Sequence, residues 1–333
     1  MAQTQISDVV VPAGFTAYQV ENSMVSTAFY QSGVIVGNGE MQSQLVAGAQ
    51  QFTVPFWSDA GEIEADITND NPAILSTPQK ITAAAQVVRK SFLHQSWSEM
   101  SLASELSGSE ALQRVQDRVQ AYWNRQYERR LVASLLGVLY SNVANNSADM
   151  VLNISVSTGT PTSANIFNGV GVINAALTLG DRLNDVKGIA MHSYIYSKAL
   201  INNEIQFFKP SENGLEIATY KGMAVIVDDA LVTAVPGIYV TILFGPGAVG
   251  YAVAEPRTGF GTEIWRTPAA GNGGGQTTLH SRFNAAIHPL GFSFTGASVA
   301  GESPIISELA LAANWTRAVS QRKSVPLAFL ISN

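Results

Sequence analysis

Gly245-Pro-Gly247-Ala-Val-Gly250 has the glycine spacing that cradles a pyrophosphate at a strand-to-helix turn. That chemistry needs a helix N-terminus behind the third glycine, where free N–H groups hold the phosphates. Here Tyr251-Ala-Val-Ala follows, which is strand-like, and Pro256 comes soon after. The stretch is therefore read as a turn between antiparallel strands, with no nucleotide. The four histidines, His94, His192, His280 and His288, include no i, i+4 pair and no His-Glu-x-x-His, so no zinc site is supported. Asp228-Asp229 follows a predicted strand, but adjacent strand residues face opposite sides, so the two carboxylates are not expected to share acid–base work. There is no Gly-x-Ser-x-Gly elbow; Gly296-Ala-Ser-Val-Ala-Gly301 is one residue too long. Cysteine is absent, which removes disulfides and thiolate chemistry. These residues predict no catalytic site, no metal and no cofactor. One enzyme reading stays open, an α/β hydrolase with a non-local active site assembled from distant residues.

The elements that would position such residues are clearer than the residues themselves. From Ser107 to about Val143 the chain reads as one long helix, with Ser107-Gly-Ser-Glu110 in the form of a capping box. Leu112, Val115, Val119, Tyr122 and Trp123 make its apolar stripe, and at 1.5 Å per residue the helix is about 50 Å long. Arg114, Arg118, Arg125 and Arg129 fall within an arc of roughly 60° away from that stripe. Glu110, Asp117 and Glu128 lie beside them, so the face is either a solvated surface laced by its own acids or a docking rail for an acidic partner.

Before this helix, residues 1–48 read as an arm without a core of its own. Val9 to Pro12 is extended, a short helix spans Phe15 to about Tyr30, and Val34 to Val36 is a strand. Gln51 to Trp57 and Lys80 to His94 read as two strands joined by a long acidic tip whose Asn69, Asp70, Asn71 and Pro72 are turn residues. After the helix, strands are expected at 150–158, 189–192, 223–227, 239–244 and 251–254, with helices at 165–179 and 194–203. Strands at 263–266 and 277–283 flank Gly271-Asn272-Gly273-Gly274-Gly275, a hairpin tip. A short strand at 291–294, a helix over 305–314 and an apolar strand near Leu327 close the chain. This is a mixed α+β pattern.

Charged residues make up only 13% of the 333-residue chain, about half the ~25% usual for a globular protein, which suits a surface covered by neighbours. The net charge of −6 hides an asymmetry: residues 1–79 contain no Lys or Arg but carry Asp8, Glu21, Glu40, Asp59, Glu62, Glu64, Asp66 and Asp70. An acidic first quarter and a mildly basic remainder are expected to meet, within or between chains. A nucleic-acid-binding protein would more often carry a basic tail, so direct tight DNA binding is disfavoured. No apolar run of about 18 residues predicts a membrane span, and no signal peptide is visible, so synthesis and folding in a cytoplasm are the expectation.

The order of these elements resembles the major capsid proteins of tailed bacteriophages, with the Hong Kong 97-type fold. The phrases that carry the resemblance are Phe15-x-x-Tyr18 ahead of Gln31-Ser-Gly-Val-Ile35, Lys80-Ile-Thr82, Ala121-Tyr-Trp-x-Arg125 leading to Leu135-Leu-Gly-Val138, Tyr220-x-Gly-Met-x-Val-x-Val-x-Asp229, Leu243-Phe-Gly-x-Gly-Ala248, and His288-Pro-x-Gly-Phe292. The resemblance implies an N-terminal arm over 1–48, an extended loop over 49–92, a peripheral domain from 93–158 and 254–295, and an axial domain from 159–253 and 296–333. It implies pentamers and hexamers in an icosahedral shell around phage double-stranded DNA, located in the virion and assembled in the bacterial cytoplasm. A separate scaffolding protein, a portal and a decoration protein are the implied partners, with no membrane and no sequence-specific DNA contact. An encapsulin-like compartment shares the fold and is the alternative within the class. Some relatives crosslink a lysine to an asparagine; Lys80 and Asn272 match by region only, and that chemistry is not carried over.

The resemblance lays the extended loop of one subunit over its neighbour's peripheral domain. In this chain it would bring Asp59, Glu62, Glu64, Asp66 and Asp70 to the arginine rail, with Phe56, Trp57 and Ile63 supplying apolar burial. The Gly271–Gly275 tip is expected between subunits near a local three-fold axis.

Overall fold

The computed structural model describes residues 35–37, 39–57, 64–73, 75, 78, 80–81, 83–107, 111–208, 217–258 and 260–333. The arm elements expected at 9–12 and 15–30, the capping residues 108–110, and Asp59, Glu62 and Ile63 lie outside these residues. The described chain begins with β1 (Ile35–Gly37), helix α1 (Gly39–Val46), β2 (Gln51–Trp57), β3 (Ala83–Arg89) and β4 (Ser91–Met100). Helices α2 (Ser101–Ser107) and α3 (Ala111–Asn145) follow. Next come β5 (Val151–Asn153), α4 (Gly169–Leu177), β6 (Gly188–Met191), α5 (Ser193–Ile201), β7 (Ile205–Phe208), β8 (Ile217–Tyr220), β9 (Met223–Val227) and β10 (Tyr239–Phe244). The last part holds β11 (Val249–Ala254), β12 (Thr262–Thr267), β13 (Gln276–Pro289), β14 (Phe292–Phe294), α6 (Ile306–Leu309), β15 (Trp315–Arg317) and β16 (Leu327–Ser332).

These strands form two larger sheets. In the first, β13 is the hub: it pairs with β4 on one side and with β12 and then β11 on the other, and β1 adds to β11 in parallel. The second runs β5-β16-β10-β6-β9-β8-β7. Its central strands β10, β6 and β16 are almost wholly buried, which accounts for their continuous apolar sequence. Val151–Asn153 joins this second sheet, and Val249–Ala254 joins the first.

Helix α3 is the spine between them. Its first half lies on the β13 sheet through Trp123 and Tyr127, which pack on Ala285, Phe283 and Tyr251. Trp123 Nε1 donates to Ser281 Oγ at 2.9 Å. Its second half, including Leu131, Leu135, Val138 and Leu139, enters the main core with Ile242, Phe244, Phe329, Phe292 and Trp315. Full burial of each such aliphatic side chain contributes about 1.5–3 kcal/mol. Among the described residues α2 runs to Ser107 and α3 from Ala111, and the expected capping residues 108–110 between them lie outside these. Glu99 holds the first turn of α3, accepting at Oε2 from the Leu112 N–H at 2.7 Å and from Ser104 Oγ at 3.1 Å.

Three further expectations change on contact with the fold. The returning strand 80–94 is broken at Lys90, because β3 pairs with β2 while β4 pairs with β13. The helix expected over 305–314 is cut short. Asn314 Nδ2 takes the Glu308 carbonyl at 2.8 Å and Trp315 Nε1 takes that of Leu309 at 2.7 Å, so side chains capture carbonyls that a continuing helix would bond. The turn at Gly245–Gly250 does not join antiparallel neighbours; β10 and β11 belong to different sheets, so it carries the chain from one to the other.

Gly137 sits inside the spine although glycine costs a helix about 1 kcal/mol relative to alanine. A Cβ there would meet the Leu309 carbonyl and come within 2.5 Å of Trp315 Nε1. We expect Gly137→Ala to lower the stability of the isolated subunit by about 1–3 kcal/mol through this clash, read as a lower urea midpoint; an unchanged midpoint would show that the contact yields freely.

Asp149, just beyond the spine, accepts from Asn142 at 2.7 Å and from Arg317 Nη1 at 2.6 Å. Burial opposes its ionisation, but those hydrogen bonds and the charges of Arg317 and Arg322 outweigh it and hold the carboxyl below its usual value of 3.8. A depressed folded value means the stabilisation is complete above 3.8 and disappears as pH falls through the folded value. Asp149→Asn should therefore destabilise the subunit at neutral pH, with the difference shrinking below pH 3.8. Denaturant midpoints that stay equally far apart at both pH values would overturn this account.

Candidate assembly surfaces

Among the described residues, the β2–β3 hairpin is tied down at its root. Phe52 and Val88 pack with Met41 and Leu45 of α1 against Ala252 and Ala286. The sequence analysis missed α1, whose Met41 and Leu45 form its one buried face. Beyond the root, Trp57 is 74% exposed, Ile67 89% and Leu75 84%. Phe56 is half-buried, and Glu64, Asp66 and Asp70 are exposed. The tip carries the expected turn chemistry: Asn69 Oδ1 accepts from the Asn71 N–H at 2.8 Å, and Asn71 Oδ1 from the Ala73 N–H at 3.0 Å.

On the spine, Arg118 and Arg129 are exposed and Arg125 is partly so; Arg114 lies in the same helix. Glu128 does not lace this face, contrary to its position in the sequence. It is 4% exposed, and its carboxyl hydrogen-bonds that of Asp228 after β9. Burial raises the Asp228 carboxyl, opposed in part by its hydrogen bonds to the Ala230 N–H and to Glu128. This carboxyl pair spans 100 residues of sequence and had no signal there.

At the other hairpin, Gly271 to Gly274 are exposed and Gly275 is buried. Gly271, Asn272, Gly273 and Gly275 all have positive φ, from 54° to 95°, which explains the glycine content. The Gly275 carbonyl accepts from the Ser101 N–H at 3.0 Å, fastening the tip to the start of α2.

Residues that looked chemical have structural duties. Gly245 leaves room for Pro326 and Gly250 for Met41 Sδ, each 2.8 Å from where a Cβ would lie. Asp229 accepts from the Ser193 N–H at 3.3 Å at the start of α5, while Asp228 turns to the Ala230 N–H and Glu128, so the adjacent acids part company as expected. His94 and His280 do pair, with Nε2 and Nδ1 3.1 Å apart, because β4 and β13 lie side by side. The two residues lie 186 apart in the chain, so no local spacing could pair them. Burial and the neighbouring His280 and Arg282 lower the His94 value. His288 is buried, bonded to the Phe292 carbonyl at 2.7 Å, and lowered by burial to about 4, so it stays neutral. Among the described residues no three His, Asp or Glu side chains form a metal cluster, and no helix is long and apolar enough to cross a membrane. The site residues thus form broad surfaces: an apolar, acidic hairpin, a basic helix face and a glycine tip.

The chain is 33% identical over 329 residues to the major capsid protein of Bacillus phage SPP1, covering 97% of this chain and 96% of that protein. The chain belongs to the phage major capsid proteins. It is a structural protein of the virion shell and not an enzyme. Its fold is the Hong Kong 97-type α+β capsid fold. The capsid of cyanophage Pam1 matches with a TM-score of 0.60 at 10% identity, over 99% of this chain and 98% of that one. The capsid of Ralstonia phage GP4 matches at 0.54 and 10% identity, over 84% and 92%. The capsid of Helicobacter pylori bacteriophage KHP30 matches at 0.53 and 12% identity, over 100% and 98%. No family model matches the chain.

For this capsid protein, exposed apolar residues on the hairpin should matter to assembly and not to subunit folding. We expect Trp57→Ser to leave the subunit's unfolding midpoint within about 0.5 kcal/mol of the parent and to reduce the yield of particles in sedimentation. A folding defect with normal assembly would reverse this assignment.

Proposed function

We propose that this chain self-assembles as pentamers and hexamers into an icosahedral shell around phage double-stranded DNA. The observation that carries the proposal is the near-full-length identity to a phage major capsid protein. It also favours a phage shell over an encapsulin-like compartment. Residues 1–48 act as the arm and 49–92 as the extended loop. The β13 sheet with the first half of the spine is the peripheral domain, and the β10 sheet is the axial domain. The low charge content and the exposed hydrophobic hairpin favour summed shallow contacts over a single deep pocket. Assembly takes place in the bacterial cytoplasm with a separate scaffolding protein, a portal and, in the finished shell, a decoration protein. The DNA is enclosed without sequence-specific contact.

Within that shell, the loop acids Asp59, Glu62, Glu64, Asp66 and Asp70 pair with Arg114, Arg118, Arg125 and Arg129 of a neighbour. The inward turn of Glu128 supports this reading, because it leaves the rail one neutralising acid short. Phe56 and Trp57 supply the apolar part of the contact, and the Gly271–Gly275 tip meets other subunits near a local three-fold axis. The charges set register more than affinity, since exposed pairs are worth about 0–1 kcal/mol each. Changing Arg118 and Arg125 to Glu should impair assembly while leaving the subunit folded, and Glu64→Lys with Asp66→Lys should partly restore it. Assembly should also weaken as salt shortens the Debye length below about 10 Å. Normal particles from the double arginine reversal, seen by negative-stain microscopy, would reduce the rail to a solvated helix face.

A further inference from the structure

Between the root of the β2–β3 hairpin, the spine helix and the segment following β14 lies a small cavity open to solvent. Arg89 of β3 and Arg130 of the spine both line it, together with Ser91, Ser134 and His288, and no carboxylate does. Arg130 spends only Nη1 on the protein, donating to Ser91 Oγ at 3.2 Å and to the Pro304 carbonyl at 2.9 Å. Burial lowers this guanidinium to about 10, the sign of a charge short of compensation. Arg89 donates Nη2 to the Glu302 carbonyl at 2.9 Å, while its Nε–H is buried without an acceptor. The Glu302 carboxylate is taken by Gln50 Nε2. His288 remains neutral and committed to Phe292. Two planar guanidinium forks therefore border one cavity of mixed polar and apolar lining, with N–H groups to spare and no carboxylate in the lining to meet them.

We propose that this cavity binds a small oxyanion of the phosphate or sulfate class between Arg89 and Arg130. Guanidinium groups bind such anions through paired, charge-assisted hydrogen bonds. An anion here gives the buried Arg89 Nε–H its acceptor and offsets the cost of burying Arg130 unpaired. It also ties the hairpin root, through Arg89, to the spine, through Arg130. The inference stands apart from shell assembly, because every group in it belongs to one chain.

The test is thermal unfolding of purified, unassembled protein titrated with inorganic phosphate, with sodium chloride holding ionic strength constant. The expected result is a saturable rise in midpoint of a few degrees, as for any ligand that binds the folded state alone. Arg89→Gln should abolish the rise, and Arg129→Gln, an exposed arginine one residue from Arg130, should keep it. Should Arg89→Gln fold poorly, broadening of the phosphorus resonance by parent protein, and its loss with Arg89→Lys, reads binding directly. A midpoint that follows ionic strength alone, or a full response in Arg89→Gln, overturns the proposal. A rise produced by a short oligodeoxynucleotide but not by inorganic phosphate also overturns it, assigning the cavity to nucleic-acid phosphodiester instead.

Discussion

One helix is buried against two sheets at once, and the rest of the fold depends on that double contact. From Leu112 to Tyr127 the spine offers one face to the β13 sheet and keeps arginines on the other. From Leu131 to Leu139 nearly every position is buried, as expected of a helix that is apolar all round. The change comes where the chain leaves one sheet and enters the core of the other. Gly137 lets the segment around Leu309 and Trp315 close over this second half at backbone distance. The indole then bonds the Leu309 carbonyl, so the seam is filled by an aromatic ring without stranding its polar edge.

The hairpin beside this body is built on the opposite terms. Two strands alone are marginal in water, and only the root of β2–β3 has a core, supplied by α1 and the β13 sheet. Its outer residues expose large apolar side chains next to acids. A capsid subunit can carry such an element because its folded environment includes other subunits. The same economy explains the scarcity of charge: a surface destined to be covered avoids the desolvation that buried ions incur.

Much of this was legible in sequence where local periodicity dominates. The strands 223–227 and 239–244 lie where the apolar runs placed them, and the spine was visible from its stripe and lack of breakers. What was not legible was decided by partners far away in the chain. Nothing near Lys90 says that the strand must change partners there, since the two partners lie in β2 and β13. Nothing near Ile306 says that its helix stops after one turn, because the carbonyls are claimed by Asn314 and Trp315. The exposure of Glu64, Asp66 and Asp70 and of Arg118 and Arg129 follows their pattern in the sequence. The inward turn of Glu128 toward Asp228 and the contact of His94 with His280 depend on pairings that no spacing encodes.

The place of β16 bears on timing. This strand is the last in the described chain, yet it lies between β5 and β10, parallel to the first and antiparallel to the second. As a nascent chain emerges, β5 has no neighbour to join and β10 has one bare edge until residues 327–332 arrive. Pairings so distant in sequence form slowly, because a long loop must close before any contact rewards it. The first half of the spine and the β13 sheet can form while the other sheet still lacks the strand between β5 and β10. The second sheet therefore becomes continuous from β5 to β10 only once residues 327–332 have been made.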